Sequence, residues 1–356
     1  MRLFFLCILL ISFSCTKKEQ SVSIPGTYSY DAQFLRQHTR HVIELQDKEG
    51  EARVLLSADY QGRVMTSSSG GDNGTSYGWL NYELIKAGEK KKQFNPVGGE
   101  ERFWLGPEGG QYSLYFHSGD SFKIENWQVP ALIDTVTYEV TQSNATQVTF
   151  SKKASITNYS GTRFDLLIER KISLLTKQET ETALHASLND SLNFVAYQTE
   201  NQIQNLGAEW TKENGLLSIW LLGMFTPSEN TVVIIPFHPA HNANELISTN
   251  YFGEIPEERL TIKDSVLFFT CDGKFRSKLG LPPAIAKSIA ASFDFQKNIL
   301  TVISFELNPN GDYVNSKWEI QKEPYRGDAV NSYNDGPLAD GSQLGPFYEL
   351  ESSSPA

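Results

Sequence analysis

The stretch from Asn95 to Phe116, NPVGGEERFWLGPEGGQYSLYF, gathers acids, an arginine and a tryptophan between Pro/Gly breaks. Arg102 and Trp104 flank Phe103, so in an extended segment both side chains fall on one face. A guanidinium fork donates to hydroxyls, and an indole ring covers the C–H face of a sugar ring. Glu101 and Glu108 supply acceptors beside them and complete a candidate substrate clamp. The competing reading sends Trp104 into the core and pairs Arg102 with Glu100 or Glu101. Gly98, Gly99, Gly109 and Gly110 permit positive φ in tight turns. No GK[ST] follows them, so they form no phosphate loop.

A second candidate lies at the far end of the chain. In FYELE, Glu349 alternates with Phe347 and Glu351, which gives its carboxyl a fixed direction and makes it the best candidate base. Of six histidines, His117, His238 and His241 sit next to strand ends, where a side chain can reach a concave face. His38 and His41 belong to an early, surface-like segment. Asp335 and Asp340 lie in a run of loop formers, read as a solvated surface loop. No acid spacing reproduces a calcium loop and no Cys/His spacing suggests zinc, so no metal or cofactor is expected.

The elements that must position these groups are mostly strands. Tyr28–His38 has helical spacing, after which the segments 41–45 and 52–56 flank a polar turn as a hairpin. SSSGGDNGTS reads as a long loop with too little apolar content to pack. Segments 146–151, 163–175 and 194–200 alternate as strands, and 183–188 continues that pattern. The run LLSIWLLGMF is either a buried strand pair or a helix, since its periodicity does not arbitrate. TVVIIPF, 266–271, 300–306 and 313–320 are strand-like, and Pro283–Ala291 is the best second helix. Strands outnumber helices and many are apolar on both faces, which predicts a mainly β fold: a large antiparallel multi-sheet sandwich with few short helices.

The N-terminus carries an address. Arg2 precedes an apolar run from Leu3 to Ile11, too short to span a bilayer but suited to a secretory signal. Ser14-Cys15 then resembles a bacterial lipobox, in which the cysteine is acylated; ordinary secretion with nearby cleavage is the alternative. Residues 1–14 are thus expected to be a lipoprotein signal peptide, 15–26 a tether and 27–356 one domain. Lipidated Cys15 would hold the protein in the envelope of a Gram-negative bacterium, with the outer membrane, periplasmic or surface face, as the expected place. The net charge of −11 argues against nucleic acid or anionic lipid as partners. Once the signal and the anchor are set aside, Cys271 is the one remaining cysteine, so no intrachain disulfide is expected, and its apolar neighbours suggest a buried, inert thiol.

GGEERFWLGPEGG, ENQIQNLG, GLLSIWLLGMF, DGKFRSKLGL and GPFYELESSSP together resemble an uncharacterised family of bacterial lipoproteins associated with the galactose mutarotase-like (aldose epimerase-like) β-supersandwich. The resemblance runs from about Phe34 to the C-terminus. It implies a carbohydrate ligand and sugar mutarotase or epimerase-like chemistry, with Glu349 as base and His238 or His117 as acid. Arg102, Trp104, Glu108 and Glu101 would then be the clamp, and Glu351 is the second position that could match the family's glutamate. Two departures stand out. Aldose 1-epimerases carry His-Gly-Gly where this chain has Val97-Gly98-Gly99, and related sequences run on past the YELE segment. A non-catalytic glycan-binding or structural envelope protein is the alternative.

Overall fold

The strand Arg163–Leu174 shows why this chain builds sheets. Phe164, Leu166, Ile168, Arg170 and Ile172 are buried while the residues between them are not, the period-two pattern of a strand covering a core. The computed structural model describes residues 24–338 and 340–356. Cys15 and the apolar run before it lie outside the described residues.

In chain order the first strands are β1 (Val42–Gln46), β2 (Arg53–Ser57), β3 (Arg63–Ser68) and β4 (Arg102–Gly106). There follow β5 (Glu139–Ser143), β6 (Gln147–Thr157), β7 (Arg163–Leu174) and β8 (Tyr197–Asn205). Next come β9 (Ser218–Phe225), β10 (Thr231–Pro236), β11 (Leu260–Lys263), β12 (Val266–Thr270) and β13 (Ser277–Leu281). The last four are β14 (Ile289–Asp294), β15 (Ile299–Ser304), β16 (Val330–Asn334) and β17 (Tyr348–Ser353). The helices are short: α1 (Tyr28–His38), α2 (Tyr82–Ala87), α3 (Ala131–Asp134), α4 (Lys177–Leu184) and α5 (Ala243–Leu246). None of the described helices is long and apolar enough to cross a membrane.

The strands form four sheets, ordered β1-β2-β3, β5-β6-β7-β8, β11-β12-β10-β14-β15 and β13-β16-β17-β9-β4. The strand pairs within them are antiparallel, as expected for a mainly β sandwich. The last sheet is central. One of its faces packs Leu279, Leu281, Tyr348 and Leu350 against Val233, Ile235, Leu267 and Phe269 of the β10 sheet. Phe103 and Leu105 join Phe150, Leu166 and Ile168 in a second core. Each such fully buried side chain contributes roughly 1.5–3 kcal/mol. Cys271 is buried in the first of these cores.

Several local expectations need correction. Pro283–Ala291 is not a helix; it turns and enters β14, whose Ala291 pairs with both Ile234 and Val302. The segment 183–188 is not a strand. It overlaps the end of α4, which a Thr176/Glu179 capping box starts by satisfying free amide donors. The segment 313–320 forms only an isolated bridge at Tyr313. LLSIWLLGMF becomes β9, which lies in a different sheet from β10. Ser67–Ser69 do pack despite their polarity, because the Ser67 amide and hydroxyl donate to Glu100 and Ser69 bonds Tyr77. Asp335 is also buried rather than solvated, accepting from the Tyr333 hydroxyl and the Gly345 amide.

Candidate functional site

Alternation along β17 sends Glu349 and Glu351 to the face opposite Tyr348 and Leu350. Register carries that face across the central sheet. Glu349 stands opposite Tyr333 and Met224, and Glu351 opposite Asn331 and Leu222. Leu222 in turn faces Arg102, Trp220 faces Trp104, and Tyr333 faces Lys278. Paired residues of an antiparallel sheet share a face. Arg102, Trp104, Trp220, Lys278, Glu349 and Glu351 therefore project together from one side of it.

Two ion pairs occupy the middle of this face. Arg102 donates to Glu349, and Lys278 Nζ lies 2.9 Å from Glu351 Oε2. The Trp220 indole donates to the same Glu351 oxygen at 2.9 Å. Arg102 also stacks over Trp104, with its guanidinium carbon 4.8 Å from the ring centroid, and Lys278 lies 4.7 Å over Trp220. Burial pushes the Glu349 carboxyl well above its ordinary range; Arg102 pulls it down and Glu351 pushes it further up.

Aromatic rings wall the site. Trp104 meets Trp220 edge-on at 5.5 Å and Tyr115 at 5.6 Å, while Trp127 stacks on Trp318 at 6.0 Å and on Tyr115 at 6.2 Å. The loop after β4 brings in Glu108, half-buried. Burial raises its carboxyl to about 7, with Lys278 pulling down and Glu351 pushing up. The Trp127 indole lowers it slightly without reaching hydrogen-bonding geometry.

The turn chemistry before β4 is strict. Gly98 and Gly99 have φ of +96° and +114°, and a Cβ on Gly98 would sit 2.0 Å from the Trp79 carbonyl oxygen. The second glycine leaves room for Arg63, which donates to the Gly98 carbonyl at 2.8 Å. Burial lowers Arg63 to about 9, with Arg102 as the next cause. Asp134 sits in the field of both arginines and is raised by burial to about 6.

Among the described residues, six polar atoms of this region have no partner: Arg63 Nε, Arg102 Nε, Trp104 Nε1, Trp127 Nε1, Asp134 Oδ1 and Glu351 Oε1. Arg102, Trp104 and Glu351 are only 2%, 4% and 1% exposed. Buried polar groups are normally hydrogen-bonded, so four donors and two acceptors left open in one region mark a place where a polar ligand can bind.

The structure thus brings Arg102, Trp104, Glu108 and Glu349 together. Other candidates lie elsewhere. Glu101 points from the opposite face of β4, where it accepts from Arg170 and Thr199. His117 is exposed beyond the loop after β4, and its amide bonds Asp120. His238 is exposed just after β10, in a different sheet, and His241 is exposed too. Arg102 pairs with neither Glu100 nor Glu101 but with Glu349, while Trp104 is both buried and part of the aromatic wall. Lys278, Trp127, Trp220, Trp318, Arg63 and Asp134 were missed. Only Lys278 carried a local signal, as the second cation of the FRSK run.

The model of a family of unknown function (DUF6786) matches residues 26–356, and the chain belongs to that family. No curated protein matches the sequence. Among solved structures it is similar to a putative aldose 1-epimerase from Escherichia coli K12, at 9% identity and a TM-score of 0.49, over 88% of this chain and 87% of that one. It is also similar to a galactose mutarotase-like protein from Lactobacillus casei, at 10% identity and a TM-score of 0.47, over 88% and 87%. A Synechocystis sp. PCC 6803 protein has 14% identity and a TM-score of 0.48, over 88% and 84%.

Proposed function

We propose that this protein binds a carbohydrate on the polar face of the central sheet and performs acid–base chemistry there on the anomeric centre. The observation that carries the reading is the set of open polar atoms on Arg102, Trp104, Trp127 and Glu351 beside a wall of indoles. Sugars need both features: directional partners for hydroxyls and flat apolar surface for C–H faces.

Mutarotation takes a proton from the anomeric hydroxyl and delivers one to the ring oxygen. Glu349, drawn toward its ionised form by the Arg102 guanidinium, acts as the base. Glu108, raised to about 7, replaces the distant histidines as the acid, because it can hold a proton near neutrality. Arg102 and Lys278 hold the ligand's oxygens and balance the charge that develops on the two carboxylates. Cys15 carries the lipid that anchors the protein in the bacterial envelope, after a signal peptide of residues 1–14.

A second reading, binding without catalysis, is favoured by one contact. Arg102 sits directly on Glu349 and draws the base toward its ionised, engaged form. Calorimetry against a panel of neutral sugars, with anomeric exchange followed by NMR, tests both. Heat together with exchange above the spontaneous rate supports the enzyme, heat alone supports the binder, and neither removes the carbohydrate reading.

A further inference from the structure

A cavity of about 530 Å³ opens beside the site, lined by Phe252, Lys274, Phe275, Arg276, Pro337 and Leu338. That volume lies within the roughly 300–1,000 Å³ of small-molecule pockets. Among the described residues its lining holds two cations and no acid, in a chain whose net charge is −11. Lys274 pairs only with Glu229 on the exposed surface, a contact readily exchanged for another. Arg276 has no acid partner among the described residues. Its guanidinium carbon lies over Phe252, 3.7 Å from the ring centroid, and its Nε donates to the Tyr333 hydroxyl at 3.2 Å. Those two contacts anchor the fork and leave both terminal nitrogens without a hydrogen-bond partner among the described residues. A planar fork held this way is built to take a carboxylate or sulfate with two parallel hydrogen bonds.

Tyr333 ties the cavity to the site. It is the cross-strand partner of Glu349 and packs edge-on against Phe252 at 5.8 Å. We infer that this cavity is an anion subsite, and that the ligand is an acidic saccharide whose carboxylate or sulfate sits on Arg276 and Lys274 while a neighbouring sugar unit occupies the Arg102–Glu349 face. The inference rests on the carbohydrate reading above and narrows its ligand class.

The test is calorimetry of the full chain with a neutral galactose trimer, a galacturonate trimer and a sulfated galactose trimer, repeated on Arg276→Gln and Glu349→Gln. The acidic trimers are expected to bind about 10-fold more tightly than the neutral one, and Arg276→Gln should erase that excess while leaving neutral binding intact. Whichever acidic trimer gains more identifies the anion. Equal affinity for all three, or a preference that survives Arg276→Gln, overturns the subsite and leaves the carbohydrate reading standing. Acidic binding that needs Arg276 but ignores Glu349→Gln, without neutral binding, keeps the anion subsite and removes the reading it rested on. No binding of any trimer removes both.

Discussion

Arg102 and Glu349 lie 247 positions apart in the chain and touch in the fold, as a buried ion pair bridging the β4 and β17 strands across β9. The contact is possible only because β9 places Leu222 beside Arg102 and Met224 beside Glu349. Its electrostatics decide what the site can do. A buried pair offsets its own desolvation but leaves a large cost when one partner is removed.

Arg102→Ala is therefore expected to destabilise the protein by about 3–5 kcal/mol, since Glu349 would be left buried without its cation. Replacing both residues with apolar ones, Arg102→Met with Glu349→Leu, should recover most of that loss while still abolishing sugar binding. Denaturant unfolding checks the first claim and calorimetry the second. A single mutant as stable as the wild type would show that the pair is not buried.

If the site catalyses anomeric exchange, Glu349→Gln should lower the rate by roughly 10²–10⁴-fold, the usual contribution of a positioned base. His117→Ala and His238→Ala should leave it unchanged, because both side chains are exposed and apart from the site. NMR exchange rates across the three variants decide the matter. A large loss in either histidine variant would relocate the chemistry.

Trp318 offers a way to probe binding from the edge of the core, which it packs against. It is only partly buried, at the outer end of the indole wall against Trp127 and Phe116. Trp318→Ala should weaken sugar affinity by about 10-fold, the value of one aromatic face, with a smaller loss of stability than truncating the buried Trp104. Unchanged affinity would place the ligand away from the indoles.

Stability should fall as pH rises from about 4.5 to 7. Burial raises Glu100 and Glu108 to about 7 and Asp134 to about 6, so each binds a proton more tightly folded than unfolded. The folded state then holds more protons in that window, and its advantage, complete below the unfolded pKa, is lost as pH climbs through the folded one. Glu100 is fully enclosed, and its share is up to about 3 kcal/mol. Glu100→Gln keeps an oxygen for Ser67 and should flatten part of the slope of melting temperature against pH. A variant slope equal to the wild-type one would place the titration elsewhere.

Cys15→Ala should release the protein from the membrane fraction if the cysteine carries the lipid. Fractionation of cells expressing each form reads this directly, and unchanged membrane association would refute lipidation.

Part of this arrangement was legible residue by residue. RFWLG places Arg102 and Trp104 on one face whatever surrounds them, since strand side chains alternate with period two. FYELE does the same for Glu349 and Glu351, and the double glycine before β4 announced the turn that Gly98 and Gly99 make. The capping box of Thr176 and Glu179 was equally readable and would have placed α4 correctly.

Local pattern, then, determined the mainly β character and the direction of Arg102, Trp104, Glu349 and Glu351 along their own strands. Only the tertiary structure decided which strands lie side by side. Strand order depends on long-range pairing, which leaves no trace in local periodicity. That is why Arg102 finds Glu349 rather than the adjacent Glu101, why His238 falls past the end of a strand in another sheet, and why Lys278 joins the site unannounced.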